Sequence, residues 1–249
     1  MLVFDAHRLL GPIPSDDVTT TDLDGLVAEL DHLAIDACAV SCTAEIFGDP
    51  RSEHTRETVA AWLAAEAAPT RHLTAQVIIP AGTSGWPSTP EDILGAAPAL
   101  VRACPVRHHF DPLGPVARSW WRELAAHDIP VALDAGECGL PLISALAATH
   151  PRLRILVLSA GYRELRRLAE LLETFPGVYI ETGTLVAAGA VEWLAREYGP
   201  DRLVFGTGAP LWDDAGPRFL LDHLELPEPD VEMVAAGSAR ELIGERWPW

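Results

Sequence analysis

Short apolar runs alternate with longer segments of helical periodicity along the whole chain. Eight runs are rich in β-branched or aliphatic residues, at 2–4, 37–42, 73–79, 105–110, 129–134, 154–159, 178–181 and 202–205. Between them lie Ala- and Leu-rich segments that predict helices, among them 22–33, 55–67, 116–127, 163–174 and 186–198. This alternation indicates βα units around a parallel sheet, and the near-continuous hydrophobicity of the runs fits strands buried on both faces.

Eight strands in 249 residues predict a single-domain (β/α)8 TIM barrel that spans residues 1–249. The competing architecture is an open, doubly wound sheet. No Gly-rich turn follows the first run, however, so the dinucleotide-binding fingerprint is absent. Helix-start signals support several boundaries, such as Thr89-Pro90 and Gly114-Pro115. The longest loops are expected at 11–21 and 80–90.

The charge balance excludes several classes of protein. The chain carries 36 acidic residues against 18 basic ones, a formal net charge of −18, which excludes nucleic acid and anionic membrane surfaces as partners. Every basic residue is an arginine, so chemistry that needs a lysine, including Schiff bases and P-loops, is excluded as well. We see neither a signal peptide nor an apolar run of membrane-spanning length, and we expect a cytoplasmic protein.

In a barrel of this kind, catalytic groups lie at the carboxyl ends of the strands. His7 follows the first run and is a candidate general base, since imidazole titrates near neutral pH. Asp134 ends the fifth run and either orients His7 or transfers a proton itself. Ser159 ends the sixth run and would complete a Ser/His/Asp set, although no Gly-x-Ser-x-Gly elbow is present. Cys42 and Cys138 are alternative nucleophiles, and a structural role is the alternative for each of these residues.

An arginine is predicted to bind the substrate. In a strand over 105–110, Arg107 and His109 share the face that points into the barrel. A guanidinium is suited to bidentate recognition of a carboxylate or phosphate, so Arg107 is interpreted as a clamp for an anionic substrate. Glu137 and Glu181 either pair with this arginine or contact a polar group of the substrate. A structural ion pair is the alternative role for Arg107.

Three segments, in the correct order over essentially the whole chain, resemble the amidohydrolase-related family of the amidohydrolase superfamily, the branch of lactonases and decarboxylases. The segments are FDAHRLLG, DRLVFGTGAP and VAAGSARELIG. They are similar to the family's Asp-x-His-x-His strand, its Phe-Gly-Ser-Asp-x-Pro strand and its Asn-Ala-x-x-Leu helix, with Ser238 where Asn is usual. In lactonase-like members an arginine on the fourth strand holds a substrate carboxylate, which implies the same for Arg107.

The resemblance also implies a divalent metal ion, and here the sequence departs from the family. His7 is the one family ligand kept as the same residue, and the positions that match the other four are Leu9, Asp134, Ser159 and Gly208. Leucine and glycine supply no donor atom, and the family's strand-four lysine cannot exist in this chain. We therefore predict that there is no metal and no cofactor. The alternative is a noncanonical metal site built from His7, Asp134, His109 and Glu181.

These features predict a metal-independent enzyme that acts on a small carboxylated or polar molecule by acid/base chemistry. Hydrolysis of a lactone or amide, or a lyase or isomerase step, would suit such a site. The alternative is a catalytically inactive barrel that serves as a ligand-binding or scaffolding partner. The C-terminal Trp247 and Trp249 either dock on the barrel or contact a second subunit, which leaves a homodimer or a partner subunit open. Trp120 and Trp121 are expected to pack between a helix and the barrel.

Overall fold

A computed structural model describes residues 1–14, 22–48, 71–80 and 89–249, together with positions 54, 57, 58 and 61. At its centre is an eight-stranded parallel sheet in which the strands follow one another in chain order. The strands are β1 (Phe4–Leu10), β2 (Ala37–Cys42), β3 (His72–Ile78), β4 (Leu100–Ala103), β5 (Val131–Asp134), β6 (Ile155–Leu158), β7 (Val178–Glu181) and β8 (Leu203–Val204). Most of the helix expected over 55–67 lies outside the described residues. The same holds for most of the two long loops expected at 11–21 and 80–90.

Hydrogen bonds between β1 and the segment after β8 close the sheet. The backbone N–H of Ala6 donates to the carbonyl of Phe205 at 3.0 Å, and that of Gly208 donates to the carbonyl of His7 at 2.8 Å. The two outer strands are thereby paired with each other, as a barrel requires. The predicted (β/α)8 barrel is confirmed.

Helices follow the strands and pack around the barrel. They are α1 (Leu23–His32), α2 (Thr43–Phe47), α3 (Pro90–Ala96), α4 (Pro115–Ala126), α5 (Ala135–Cys138), α6 (Leu140–Thr149), α7 (Leu165–Thr174), α8 (Ala190–Tyr198), α9 (Ala215–Asp222), α10 (Glu228–Glu232) and α11 (Ser238–Ile243). Thr89 begins α3 in a capping box with Asp92, and Pro115 lies in the first turn of α4, as the sequence signals predict. Among the described residues, no helix has the length and apolarity needed to cross a bilayer.

Apolar side chains form a layer outside the barrel and a second cluster inside it. On the outside, strand residues such as Val40 and Val131 pack in one cluster with Trp120 and Trp121, so the predicted role of the tryptophan pair is confirmed. The inner cluster joins the barrel-facing strand residues to α11: Phe4, Ala6, Ala37, Ala39, Leu73, Ala75, Leu100, Ala132, Leu156, Leu158, Val204, Ala236, Ala239, Leu242 and Ile243. Alternate strand positions thus face opposite sides of the sheet.

β1 extends further than the sequence pattern indicates. It spans Phe4–Leu10 and not 2–4, because Asp5 and Arg8 are buried within it and form an ion pair, with Arg8 Nε 3.8 Å from Asp5 Oδ2. Charged residues tolerate burial when they are paired. The strand therefore continues through two residues that would otherwise end it.

β4 lies earlier in the chain than predicted, so the prediction of a strand over 105–110 is wrong. Pro105 lacks the backbone N–H that the sheet needs, and the chain turns there. The prediction that Arg107 and His109 face into the barrel is wrong for the same reason, because both are exposed in this turn. Arg102 takes the barrel-facing position of β4 and is only 4% exposed.

The C-terminal tryptophans dock on the barrel. The ring of Trp247 lies 4.6 Å from that of Phe4 in an edge-on arrangement, and the ring of Trp249 lies 5.5 Å from the same residue. Because Phe4 is fully buried at the start of β1, these rings cover the amino-terminal end of the barrel. Of the two interpretations of the tail, docking on the barrel is therefore what the structure shows.

Truncation of this aromatic cluster is expected to destabilise the fold. Trp247→Ala removes the edge-on contact with Phe4 and should lower the free energy of unfolding by about 2–4 kcal/mol, measured by urea denaturation. Phe219→Ala, whose ring is 64% exposed, is the matched control and should change stability by about 0.5 kcal/mol or less. Equal losses in the two variants would show that the tail does not contribute as proposed.

Candidate active site

A β-bulge in β1 turns His7 toward the barrel axis. The register against β2 shifts between Asp5 and Arg8, which accommodates one additional residue on β1. Arg8 then points outward, where it pairs with Asp214 at 2.8 Å and with Glu29 at 3.1 Å. His7 points inward and is 3% exposed. Two adjacent basic side chains therefore lie on opposite sides of the sheet.

Asp5 fixes this bulge from within the sheet. Its Oδ1 accepts the backbone N–H groups of His7 and Thr207, each at 3.0 Å, and its Oδ2 accepts the hydroxyl of Thr207 at 2.7 Å. Burial raises the pKa of the Asp5 carboxyl, and the charge of Arg8 is the largest opposing influence. The backbone of His7 is thus held by a side chain two residues before it and by the segment after β8.

Arg102 lies at the centre of the candidate site. Its Nη1 is 3.1 Å from His7 Nε2, and its Nη2 is 3.7 Å from Asp134 Oδ2. A guanidinium has only donors, so the ring nitrogen that faces it must accept the hydrogen bond. The neutral imidazole in this arrangement therefore carries its proton on Nδ1, an assignment that follows from the hydrogen-bonding partner.

Glu181, at the end of β7, faces the other ring nitrogen of the histidine. Its Oε2 lies 3.7 Å from His7 Nδ1, and its side chain is fully buried. The carboxylate accepts the backbone N–H groups of Ser159 at 2.8 Å and Gly183 at 2.6 Å. Such charge-assisted hydrogen bonds offset the cost of burial. The imidazole of His7 is thereby held between a cation and an anion.

Two glycines after β8 make room for this arrangement. A Cβ atom on Gly206 would lie 2.7 Å from Glu181 Cγ and 3.2 Å from His7 Cβ. Gly208 has a φ of +73°, and a Cβ there would lie 2.6 Å from the Trp212 indole and 3.2 Å from the His7 ring. The glycines are therefore required by close approach and, at 208, also by backbone conformation. The indole of Trp212, which is 53% exposed, stands next to His7 at the mouth of the barrel.

Asp134 has two functions at the end of β5. Its Oδ1 accepts the backbone N–H groups of Gly136 at 2.8 Å and Glu137 at 3.2 Å and so caps α5. Its Oδ2 faces Arg102, and its side chain is 21% exposed. Asp134 faces Arg102 and not the imidazole of His7 directly, and the carboxylate that lies beside the ring is that of Glu181.

The predicted Ser/His/Asp set is not assembled. Ser159 has a left-handed backbone with φ of 49°, and its buried Oγ makes no hydrogen bond to any described residue. The cysteines are poor nucleophiles as well. Burial raises the pKa of Cys42 to about 11 and raises that of Cys138 further, so the thiolate form is disfavoured at neutral pH.

The turn after β4 places the other predicted residues at the rim. The guanidinium of Arg107 stacks on the ring of Phe47 at 4.6 Å, and Glu137 accepts the backbone N–H of Arg107 at 2.6 Å. His109 is exposed and has a φ of 54°. These contacts fix the turn itself and do not bring Arg107 to the imidazole of His7.

Arg102 is the residue that the sequence analysis misses. Leu100, Arg102 and Cys104 alternate on the barrel-facing side of β4, which is the pattern of a strand. The proline at 105 is the signal that the strand must end before it. An arginine inside an apolar strand gives no local indication of its partners.

The residues at this site do not fit a divalent ion. Within the described ranges, no three His, Cys, Asp or Glu side chains are grouped in a way that would hold one. Leu9 packs against Ile46 and Val77 and supplies no donor. The positively charged Arg102 lies between the imidazole of His7 and the carboxylate at the end of β5, where an ion bound by both would have to lie.

Polar side chains are gathered at the carboxyl ends of β1, β4, β5 and β7, where parallel barrels carry their functional sites. A model of the amidohydrolase family matches residues 43–244, and the chain belongs to this family. The resemblance inferred from the sequence motifs is thereby confirmed. A search of the curated proteins finds no match.

Solved structures share the fold at low sequence identity. An uncharacterised TIM-barrel protein from Bordetella bronchiseptica gives a TM-score of 0.75 at 15% identity, covering 98% of both chains. The 2,6-dihydroxybenzoate decarboxylase from Rhizobium gives 0.70 at 18% identity, covering 97% of this chain and 98% of its own. A variant 5-carboxyvanillate decarboxylase from Novosphingobium aromaticivorans, with bound manganese, gives 0.74 at 12% identity and covers 97% of both chains.

His108, which lies in the turn after β4, is expected to make the free energy of unfolding depend on pH. His108 Nε2 lies 3.0 Å from the carbonyl oxygen of Glu45, and burial lowers its pKa below the ordinary value of 6.5. Below that pH the unfolded chain binds more protons than the folded one, so stability is lost as the pH falls. His108→Gln should flatten the decline of Tm between about pH 7 and 5, whereas the exposed-site control His127→Gln should not. An unchanged slope in His108→Gln would contradict this assignment.

Proposed function

We propose that this chain is a metal-independent enzyme that acts on a small carboxylated molecule by charge stabilisation and proton transfer. The observation that carries the proposal is the position of Arg102, buried inside the barrel between His7 and Asp134. A guanidinium is suited to bind an anionic oxygen with directed hydrogen bonds. Such a group aids catalysis most where charge develops during the reaction in a site that excludes water.

Unsatisfied polar atoms at the site support an anionic ligand. Arg102 Nε, His7 Nδ1 and Ser159 Oγ are buried and have no hydrogen-bond partner among the described residues. Buried donors are nearly always satisfied in folded proteins, and each one left unpaired costs roughly 1–3 kcal/mol. All three groups can donate a hydrogen bond in the arrangement described, so each is a candidate to bind an oxygen of an anionic substrate.

The available bases favour a lyase step over hydrolysis. The Nε2 lone pair of His7 accepts a hydrogen bond from Arg102, and the side chain of Glu181 is fully buried, whereas that of Asp134 is partly exposed; neither His7 nor Glu181 is therefore placed to activate water. In the favoured reaction the C–C bond to a carboxyl group breaks and carbon dioxide leaves. The electron pair moves onto a conjugated oxygen held by Arg102, and a solvent proton relayed through the part-exposed Asp134 forms the new C–H bond.

The structural neighbours support this choice. Two of those described are decarboxylases of hydroxylated benzoates, which makes a planar carboxylic acid the first substrate class to test. One neighbour contains manganese; in this chain the fixed charge of Arg102 supplies the electrostatic stabilisation. Hydrolysis of an unactivated amide is disfavoured because the site offers no group that lowers the pKa of water toward 7. The inactive-barrel alternative is not favoured.

Activity is expected to depend on the buried arginine and not on the exposed one. For an acid that the wild-type chain decarboxylates, in a panel that begins with 2,6-dihydroxybenzoate, Arg102→Gln should lower kcat/KM by about 10²-fold or more. His7→Ala removes the acceptor that positions the guanidinium and should lower kcat/KM as well. Substrate absorbance and carbon dioxide release measure the rate. Arg107→Gln is the matched control and should change kcat/KM by less than about threefold, because its guanidinium lies at the rim on Phe47.

Two results would contradict the proposal. One is an Arg102→Gln variant that is folded and fully active. The other is activity that disappears on chelation and returns with added manganese, since that would place a metal ion at the reacting centre.

A further inference from the structure

We propose that Trp212 determines which carboxylic acids this site accepts. Its indole is a stacking surface that favours a planar aromatic ring over a puckered ring of the same size. The inference rests on the proposed function, because it takes a carboxylate bound to Arg102 as the other end of the ligand. It adds a residue that recognises the body of the substrate and not its charged group.

The indole of Trp212 and the imidazole of His7 lie against the same glycine. A Cβ atom on Gly208 would lie 2.6 Å from Trp212 Cδ1 and 3.2 Å from His7 Cε1. Both rings therefore approach a point that a side chain at position 208 would occupy. The space around His7 is thus lined by an aromatic side chain on the side of the segment after β8.

Backbone hydrogen bonds hold the turn that carries this tryptophan. The N–H of Trp212 donates to the carbonyl of Gly208 at 3.3 Å, and the N–H of Gly208 donates to the carbonyl of His7 at 2.8 Å. One residue further along, the carbonyl of Ala209 accepts the N–H of Leu9 at 2.9 Å. The turn is therefore attached to β1 at two points. A surface that is formed before a ligand arrives loses less conformational entropy when it binds.

Among the described residues, the indole of Trp212 has no aromatic or apolar cluster to pack in. It is 53% exposed, it stacks on no described ring, and it belongs to none of the hydrophobic clusters. The ring of Trp193, by contrast, packs edge-on against that of Tyr198 at 6.1 Å. A large aromatic surface beside the candidate site is therefore available to a ligand, and it gains most from contact with another ring.

The charged end of the ligand makes the shape of its other end important. A guanidinium holds a carboxylate with hydrogen bonds that lie in one plane. In benzoate the ring is flat and conjugated with the carboxylate, so a whole face of the ring can lie against an indole. A cyclohexane ring is puckered and presents axial hydrogens, so it cannot make the same face-to-face contact. Stacking on Trp212 should therefore separate the two kinds of acid.

Equilibrium binding of two matched acids to the purified full-length chain tests the inference. The probes are benzoate and cyclohexanecarboxylate, which have the same number of carbon atoms and the same charge at neutral pH. Isothermal titration calorimetry measures both affinities. Wild-type protein is expected to bind benzoate about three- to tenfold more tightly than cyclohexanecarboxylate. Trp212→Leu keeps an apolar side chain but removes the ring, so the affinity ratio should fall to about one. Trp212→Phe keeps a ring and should retain most of the preference.

Trp193→Leu is the matched control and should leave the affinity ratio unchanged, because this tryptophan lies on the outer helix α8. Circular dichroism checks the folding of each variant. A wild-type chain that binds the two acids equally, or that binds neither, would overturn the inference, and these measurements need no substitution. A folded Trp212→Leu variant that keeps the wild-type ratio would overturn it as well.

The binding ratio and the decarboxylation rate separate this inference from the proposed function. If turnover depends on Arg102 but the ratio does not depend on Trp212, the stacking surface is wrong and the proposed reaction stands. If the ratio depends on Trp212 but a folded Arg102→Gln variant is fully active, the stacking surface stands and the proposed reaction is wrong.

Discussion

The buried contact between Arg102 and His7 is the interaction on which the rest of the site depends. A positive charge inside a barrel loses its hydration and must be compensated by groups that the barrel itself supplies. The lone pair of the imidazole and the carboxylate of Asp134 do this from two sides. The first contact leaves the proton of the neutral imidazole on Nδ1, and that nitrogen faces a second carboxylate, that of Glu181, at 3.7 Å.

The residues that close the barrel also position the side chains of the candidate site. Asp5 binds the backbone of His7 and that of Thr207, so one carboxylate joins the bulge of β1 to the segment after β8. That segment also contains the glycines that leave space for the imidazole and for Glu181. The backbone of β1 therefore carries two groups of charged residues. Arg8 and the carboxylates that pair with it lie outside the sheet, and His7 and Arg102 lie inside the barrel.

Hydrophobic periodicity predicted the number, order and parallel arrangement of the strands, since burial on both faces leaves a direct trace in the sequence. It misplaced β1 and β4 for two physical reasons. Asp5 and Arg8 interrupt the apolar pattern of β1, which makes the strand seem to end there. The run that begins at Pro105 has no backbone N–H at its first residue to donate to a neighbouring strand. The site could be predicted only in part: His7, Asp134 and Glu181 stand at strand ends, but the partner of His7 is 95 residues away in the chain, and a local pattern does not record such a distant pairing.

A fixed guanidinium and an exchangeable metal ion provide different chemistry even when each places a positive charge at the same position in a barrel. The guanidinium donates hydrogen bonds in a plane and stabilises an anionic oxygen, but it does not bind water as a Lewis acid. Its hydrocarbon stem also needs apolar neighbours, which a metal ion does not. Leu9 and Val77 line the barrel interior at the level of Cys104. Leu9 and Arg102 both face the barrel interior, and the proposed reaction assigns the stabilising charge to this arginine.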